Sequence, residues 1–312
     1  MTPVIPFPTG WPFTTAEATR AGLSHRALTA AVAQGRLIKI RHGWFHAPQS
    51  GESTRDALAR SSRIALYEGP LGAVISHHTA AALHGLPLIR ARTDRVHLTV
   101  DRPTGGRRTP HIQVYSSPRD SLDTTQVDGI PVTCVARTVV DLARSAGFDA
   151  GVCAADHALR LRMVTADGLA SEVDRHRGRT GVAIARDVVD FADPRAESPG
   201  ESLSRCVMRR CRDVPAPRLQ HRYFSSGGRP VARTDFSWGD GALAGEFDGR
   251  TKYSRCAAGG EDPGEVVWRE KQREDRLRAL GVVVVRWVWD DLYAPNRFER
   301  LLLDGLRRSG VR

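Results

Sequence analysis

The chain has 312 residues, 41% of them hydrophobic, which predicts two or three domains with globular cores. Its 46 Lys and Arg residues exceed its 35 Asp and Glu residues, and the formal charge of +11 at pH 7 favours a polyanionic partner. The sequence shows no membrane span and no signal peptide, and its five cysteines lack a Cys-x-x-Cys pair, so we expect a cytoplasmic protein.

Residues 1–48 predict a winged helix-turn-helix. A Thr14-x-x-Glu17 capping box opens a first short helix. Ser24 is the predicted N-cap of a second helix over residues 25–34. The alternating segment that follows contains a His-Gly turn, as a two-stranded wing does.

Basic side chains are concentrated on the second helix and the wing. Residues 1–60 carry seven basic and three acidic residues. Cations on these two elements are placed to meet DNA phosphates or a groove, although a basic module that binds nothing remains an alternative. The candidate DNA-binding residues are Arg26, Arg36, Lys39 and Arg41.

The next region, residues 49–192, mixes helical and strand patterns. The predicted elements are helices over residues 53–67, 73–84 and 135–143, strands over 95–100, 112–115 and 130–133, and a turn at Asp128-Gly129. His77, His78 and His84 share one predicted helix, where packing and capping roles are favoured over metal binding. Residues 193–197 predict a linker because they combine proline, alanine and charge.

Residues 198–312 are long enough for an independent domain. Their patterns predict the element order α-β-β-β-α-β. The elements are a helix over residues 198–212, strands over 219–224, 232–238 and 242–248, a helix over 265–280 and an apolar strand over 282–289.

The middle hairpin of this domain brings carboxylates together. Asp240-Gly241 predicts a two-residue type I′ turn, and in that register Asp235 lies directly opposite Glu246. Asp248 lies on the same face, because strand side chains alternate. Opposed side chains have Cβ atoms roughly 4.5–5.5 Å apart, a separation at which like charges are destabilising and hard cations bind well. The hairpin therefore predicts a Mg²⁺ or Mn²⁺ site, unless the loop differs by one residue.

Metal-assisted phosphodiester hydrolysis needs such an arrangement. The cation binds a phosphate oxygen and lowers the pKa of the attacking water, and a lysine stabilises the developing charge. Lys252 and Lys271 are the lysines that follow the hairpin. Non-catalytic alternatives stay open. The carboxylates of Asp235 and Glu246 would then be solvated strand residues, Asp248 would be a turn residue, and Lys271 would pair with Asp275 on a helix surface.

The segments ESPGESLSR, DFSW, GEFDG and REDRLRALGVVVVRWVW resemble the very-short-patch-repair-type endonuclease domains of the PD-(D/E)XK nuclease superfamily, over essentially all of 198–312. The resemblance implies that Asp235 and Glu246 ligate the metal and that Glu201 supports it. The superfamily's lysine would fall at position 248, where this chain has Asp248, so the lysine function must come from elsewhere or be missing. Glu201 also completes a capping box with Ser198, and both roles stay open.

The front of the chain resembles the AbiEi-type antitoxins of type IV toxin–antitoxin systems. The segments that carry this resemblance are TTAEATRAGLSHRALTAAVAQGRLIKIRHGWFHAP, SHHTAAALHGL and DGIPVTCVARTVVDLAR, within residues 10–145. The resemblance implies a winged helix that binds operator DNA, an antitoxin-like domain after it, and a cognate toxin as a partner.

The sequence therefore predicts an α/β (α+β) protein with three functional readings. The principal prediction is a metal-dependent DNA endonuclease whose winged helix adds DNA affinity. The alternatives are an antitoxin-type transcriptional regulator with an inactive nuclease-like domain, and an antitoxin that neutralises a partner protein by contact. A palindromic DNA site would require a dimer, but the sequence leaves the oligomeric state open.

Overall fold

The computed structural model shows a mixed α/β protein with three sheets. It describes residues 6–89, 94–102, 104–118, 122–249 and 263–311. Two compact units divide the chain, residues 1–141 and residues 142–312. Among the described residues, no helix combines the length and the apolar character that a bilayer crossing requires.

Residues 13–46 form two helices and a small sheet. The elements are β1 (Phe13–Thr14), α1 (Thr15–Arg20), α2 (His25–Ala33), β2 (Ile38–Arg41) and β3 (Trp44–His46). The predicted capping box is present: Thr14 Oγ1 accepts from the Glu17 N–H, and the Glu17 carboxylate accepts from the Thr14 N–H. Ser24 caps α2 through the Ala27 N–H. The predicted helices and the predicted two-stranded wing are thus confirmed, with strand order β1-β3-β2.

The remainder of the first unit is a six-stranded sheet with two helices packed on it. The elements are α3 (Thr54–Glu68), β4 (Val74–Ile75), α4 (His77–His84), β5 (Val96–Asp101), β6 (Arg107–Arg108), β7 (Ile112–Ser117), β8 (Thr124–Val127) and β9 (Ile130–Thr133). The strand order is β6-β7-β5-β4-β9-β8, and the β5–β7 and β4–β9 pairs are parallel. Its core is aliphatic, with Ile75, Leu83 and Leu98 fully buried.

One predicted helix of this unit is partly wrong. The pattern over residues 73–84 predicts one helix, but Val74–Ile75 is strand β4 and the helix begins only at His77. Branched side chains favour extended backbone when a neighbouring strand is available. Ser76 between the two elements is also extended, with φ −146° and ψ 178°.

Helices dominate the start of the second unit. They are α5 (Val135–Ala146, which begins in the first unit), α6 (Phe148–Arg160), α7 (Ala166–Arg175), α8 (Val182–Phe191) and α9 (Pro199–Met208). A Cβ atom at Gly151 of α6 would lie 2.8 Å from atoms of Ala143 and Val188, so glycine permits close helix packing here. The predicted linker contacts α6, since the Asp193 N–H donates to Asp156 Oδ1 at 2.7 Å. The domain boundaries drawn from the sequence stay predictions.

The second unit ends in a four-stranded sheet with the predicted order α-β-β-β-α-β. After α9 come β10 (Arg218–Phe224), β11 (Pro230–Trp238), β12 (Leu243–Phe247), α10 (Pro263–Ala279), β13 (Val283–Trp287), α11 (Trp289–Leu292) and α12 (Pro295–Ser309). The strand order is β10-β11-β12-β13, and only the β12–β13 pair is parallel. Helix α9 is shorter than the predicted 198–212.

The hairpin between β11 and β12 has the predicted register. Asp240 (φ 49°, ψ 32°) and Gly241 (φ 97°) both lie in the left-handed region that a type I′ turn requires. The Ala242 N–H closes the turn by donating to the Gly239 carbonyl at 3.0 Å. In this register Phe236 pairs with Gly245.

Candidate functional site

Helix α2 buries one side and exposes a basic N-terminal turn. Leu28 and Ala31 face the small core, whereas Arg26 and Thr29 are exposed. The first turn contains no acidic residue. The positive end of the helix dipole and the exposed Arg26 therefore act in the same direction, toward an anion such as a DNA phosphate.

The four candidate DNA-binding residues differ in their surroundings. Arg26 and Lys39 are exposed and have no ion pair with any described residue. Arg36 is half-buried, and its Nε donates to Gln34 Oε1 at 2.9 Å.

The guanidinium of Arg41 is already paired. Its Nη2 lies 2.5 Å from Glu68 Oε2, and the other oxygen of Glu68 accepts from Trp44 Nε1 at 2.7 Å. Because this carboxylate offsets the arginine charge, Arg41 is a weaker candidate for a phosphate contact than Arg26 or Lys39.

The predicted carboxylate pair occupies neighbouring strands of the second unit. The observed register, continued by one residue, places Asp235 opposite Glu246 on the same face of the hairpin. Asp235 Oδ2 accepts from the Phe247 N–H at 3.0 Å. Glu246 is 7% exposed, so its carboxylate needs a partner.

Two arginines provide that partner. Arg273 Nη2 lies 2.6 Å from Glu246 Oε1, and Arg286 Nε lies 3.0 Å from Glu246 Oε2. Arg286 also contacts Glu274 at 3.0 Å, and Glu274 in turn pairs with Arg278. Both oxygens of Glu246 thus accept from cations, and this arrangement does not fit a divalent cation bound to the same oxygens.

Glu201 has the contacts of a helix cap. The Glu201 N–H donates to Ser198 Oγ at 3.2 Å, and Ser198 Oγ donates to Glu201 Oε1 at 2.7 Å. Its other oxygen accepts from the Glu197 N–H at 2.8 Å and from Gln220 Nε2 at 3.0 Å. Burial raises the pKa of the Glu201 carboxyl. Ser198 thus caps α9, but the predicted capping box is incomplete, because the Glu201 carboxylate accepts from the Glu197 N–H instead of the Ser198 N–H. A metal-support role stays a prediction.

Among the remaining predicted site residues, neither Asp248 nor Lys271 has a side-chain hydrogen bond or ion pair with Glu246. Asp248 is half-buried, and its backbone N–H donates to the Trp287 carbonyl at 2.8 Å. Lys271 is exposed and makes no ion pair with Asp275 in the described part of the chain. Lys252 lies outside the described residues. Within the described ranges, no three His, Cys, Asp or Glu side chains form a group that could hold a metal ion.

Arg273 and Arg286 decide the character of this cluster, and neither is among the site residues predicted from the sequence. Arg286 is the parallel-strand neighbour of Glu246, a pairing that becomes visible only once β13 is aligned beside β12. Arg273 lies two residues after Lys271 on a helix in which charged residues outnumber the others, so its position in sequence carries no distinguishing signal.

In the first unit, His77 lies in a cluster with His97 and Tyr115 that the sequence does not indicate. The ring of His77 stacks on Tyr115 with centroids 3.7 Å apart, and His97 Nδ1 lies 3.3 Å from the Tyr115 hydroxyl. His77 has a positive φ of 51°, which is unfavourable for a non-glycine residue. Asp141, 1% exposed, lies 3.9 Å from His77 Nδ1 and accepts from Arg137 Nε at 2.8 Å.

Burial disfavours the protonated form of two histidines here, His97 and His78. Desolvation, followed by the nearby His77 and His78, lowers the pKa of His97 to about 3. Desolvation also lowers the pKa of His78. His84 points elsewhere and contacts the Thr133 carbonyl at 2.8 Å through Nε2. The histidines thus have packing and hydrogen-bonding contacts, as one of the sequence alternatives holds.

A family model matches a short part of the chain, and two relatives match most of it. Residues 11–45 match the family model described as "Transcriptional regulator, AbiEi antitoxin". Two proteins from strains of Mycobacterium tuberculosis, the uncharacterized proteins MT2308 and Rv2248, are 30% identical to this chain over 292 residues. The matched part is 92% of this chain and 100% of each relative.

One solved structure is a distant match. The crystal structure of the Rv2827c protein from Mycobacterium tuberculosis covers 69% of this chain and 84% of its own, with a TM-score of 0.41 and 14% identity.

Proposed function

The chain belongs to the family of the two mycobacterial proteins MT2308 and Rv2248, and from this premise we propose that it is a DNA-binding transcriptional regulator of the antitoxin type. The AbiEi match over residues 11–45 coincides with the two helices and most of the wing. The observation that carries the proposal is Arg26 at the N-terminal turn of α2, which is exposed and has no ion pair with a described residue.

In this proposal residues 1–48 act as a winged helix-turn-helix. Helix α2 is the recognition helix, and its N-terminal residues enter the major groove, as in other helix-turn-helix proteins. Lys39 on the wing strand β2 contacts a phosphate. Arg41 has a smaller role, because Glu68 compensates its charge.

Salt-dependent DNA binding tests the proposal. A duplex selected from a random library is titrated with protein at several salt concentrations and followed by fluorescence anisotropy. Arg26→Gln and Lys39→Gln are each expected to weaken binding and to lower the slope of log K against log salt by about 0.9 for the lost phosphate contact.

The matched control is Arg229→Gln, an exposed arginine of the second unit without a described ion pair. This variant should bind like the wild type. Equal weakening by Arg26→Gln and Arg229→Gln would instead point to non-specific attraction by net charge.

For residues 198–312 we propose a PD-(D/E)XK-like domain without nuclease activity. The element order and the hairpin register support the resemblance. The pairing of Glu246 with Arg273 and Arg286, and Asp248 at the position of the superfamily's lysine, support the loss of activity.

A metal-dependent DNA endonuclease that uses Mg²⁺ or Mn²⁺ is the second candidate function. The opposed Asp235 and Glu246 on one hairpin face favour it. A plasmid-cleavage assay with Mg²⁺, Mn²⁺ or EDTA separates the two candidates. Metal-dependent nicking that is lost in both Asp235→Ala and Glu246→Ala would support the nuclease, whereas intact plasmid together with salt-sensitive DNA binding would support the regulator.

A cognate toxin protein is the partner that the antitoxin description suggests. Co-expression of this chain with the product of an adjacent gene tests that partnership. Rescue of growth by the wild-type chain and by Arg26→Gln alike would assign neutralisation to a surface other than the DNA-binding helix.

A further inference from the structure

A cavity of about 440 Å³ lies in the second unit, and none of the residues around Glu246 lines it. Its wall is formed by the end of α8, the C-terminal half of α9, and residues 211–219 up to the start of β10. The volume falls within the range of roughly 300–1,000 Å³ that small-molecule sites have.

Part of this wall is apolar. Met208, Val214 and Leu219 line the cavity, and all three side chains are buried. The ring of Phe191 lines it as well. Such a surface binds the hydrocarbon or aromatic part of a small molecule, because burial removes apolar area from water.

Four arginines line the same cavity, and two of them are neutralised within the protein. Arg205 Nη1 lies 2.7 Å from Asp156 Oδ2, and Arg205 Nη2 donates to the Phe191 carbonyl at 2.6 Å. Arg195 Nη2 lies 2.6 Å from Asp193 Oδ2. These two pairs contribute little net charge to the cavity.

The other two arginines, Arg209 and Arg212, have no acidic partner among the described residues, and both are exposed. The Arg209 guanidinium carbon lies 4.6 Å from the centroid of the Phe148 ring and 5.2 Å from that of Phe191. Stacking on aromatic rings holds a guanidinium in place while its N–H groups stay available to an acceptor.

We propose that this cavity binds a small organic anion with an apolar body. The apolar wall takes the body of the ligand, and Arg209 and Arg212 take its carboxylate, sulfonate or phosphate through charge-assisted hydrogen bonds. The inference does not rest on the proposed DNA binding, since it uses only residues of the second unit.

The test uses the full chain and 8-anilinonaphthalene-1-sulfonate, an anion with an aromatic body whose fluorescence rises on transfer to an apolar site. Saturable binding of one probe per chain is expected. The double variant Arg209→Gln, Arg212→Gln should bind at least about tenfold more weakly, a loss that corresponds to one charged hydrogen bond.

Two further variants separate this cavity from general surface binding. Ala216→Trp places a large ring at an exposed position of the cavity wall and should abolish probe binding while leaving the thermal unfolding midpoint unchanged. The control Arg222→Gln, Arg229→Gln removes two exposed arginines elsewhere in the unit and should bind like the wild type.

Competition defines the ligand class. Octanoate, which has an apolar chain, should displace the probe, whereas inorganic phosphate at the same ionic strength should not. Displacement by phosphate alone would overturn the requirement for an apolar body. The absence of saturable binding, or binding that Ala216→Trp leaves unchanged, would overturn the site itself.

Discussion

Two charged regions differ in whether their charges are compensated within the protein. They are the winged segment, residues 13–46 of the first unit, and the carboxylate cluster of the second unit, Glu246 with Arg273 and Arg286. In the winged segment, Arg26 and Lys39 are exposed without a described ion pair. In the cluster, Glu246 is buried and both of its oxygens contact arginines. A charged side chain is therefore available to a ligand only where no neighbouring side chain of opposite charge compensates it.

The physical reason lies in solvation. An exposed cation is hydrated, so it needs no protein partner and gains little from one. A buried carboxylate loses its hydration, and an unpaired one would be strongly destabilising. The two arginines therefore compensate a carboxylate that would otherwise be destabilising in its buried position, whereas the described residues leave the charges of Arg26 and Lys39 uncompensated.

Removing the central carboxylate should have the largest effect. Glu246→Gln replaces two charge-assisted contacts by those of a neutral amide, and the free energy of unfolding should fall by about 2 kcal/mol, because both arginines are partly exposed and Arg286 keeps Glu274. Urea unfolding followed by tryptophan fluorescence measures this loss. The control Asp213→Asn removes an exposed carboxylate without a described partner and should change stability little. Equal stability of both variants would contradict the pairing.

The second largest effect is expected from acid, which should lower the free energy of unfolding through the buried, uncharged His97. Because the pKa of His97 is about 3 in the folded chain and near 6.5 when unfolded, the unfolded state binds more protons between those values. The contribution of uncharged His97 to the free energy of unfolding should be fully present above pH 6.5 and should be lost progressively as the pH drops toward 3. His97→Asn should reduce this slope by up to about 1.4 kcal/mol per pH unit.

Unfolding curves measured at several pH values check the slope. The lowered pKa of His78 should leave part of it in His97→Asn. His42→Asn, at an exposed position of the wing turn, is the matched control and should keep the wild-type slope. An unchanged slope in His97→Asn would show that other groups carry the acid sensitivity.

A smaller effect is expected at the helix cap of the winged segment. Thr14→Ala removes the side chain that accepts from the Glu17 N–H, and it should destabilise this segment by about 1 kcal/mol. Thermal unfolding detects the change. Thr19→Ala is the control, because its exposed hydroxyl only contacts the Thr15 carbonyl within α1.

The smallest effect is expected at Arg41, and it sharpens the comparison between the two regions. Arg41→Gln breaks a partly exposed ion pair with Glu68 and should cost about 0.5 kcal/mol. In the anisotropy assay it should lower the salt slope less than Arg26→Gln does. A larger loss of DNA affinity for Arg41→Gln would show that Glu68 releases this arginine to DNA.

Local signals in the sequence were sufficient for most of the elements. The capping box at Thr14, the N-cap at Ser24 and the Asp240-Gly241 turn each act over a few residues, and each is present as predicted. Such local signals do not include neighbours that are distant in sequence. The helix predicted over residues 73–84 is therefore partly wrong, since Val74 and Ile75 form a strand between β5 and β9.

Local sequence patterns alone account for the caps, the Asp240-Gly241 turn, the element order and hence the register that opposes Asp235 to Glu246. Which charges are neutralised depends on contacts between residues that are distant in sequence. Arg286 meets Glu246 across a parallel strand pair 40 residues away in sequence, and His97 meets Tyr115 across another parallel pair. Contacts between distant residues depend on how strands align and helices pack, and a local pattern of residue types contains no record of that alignment.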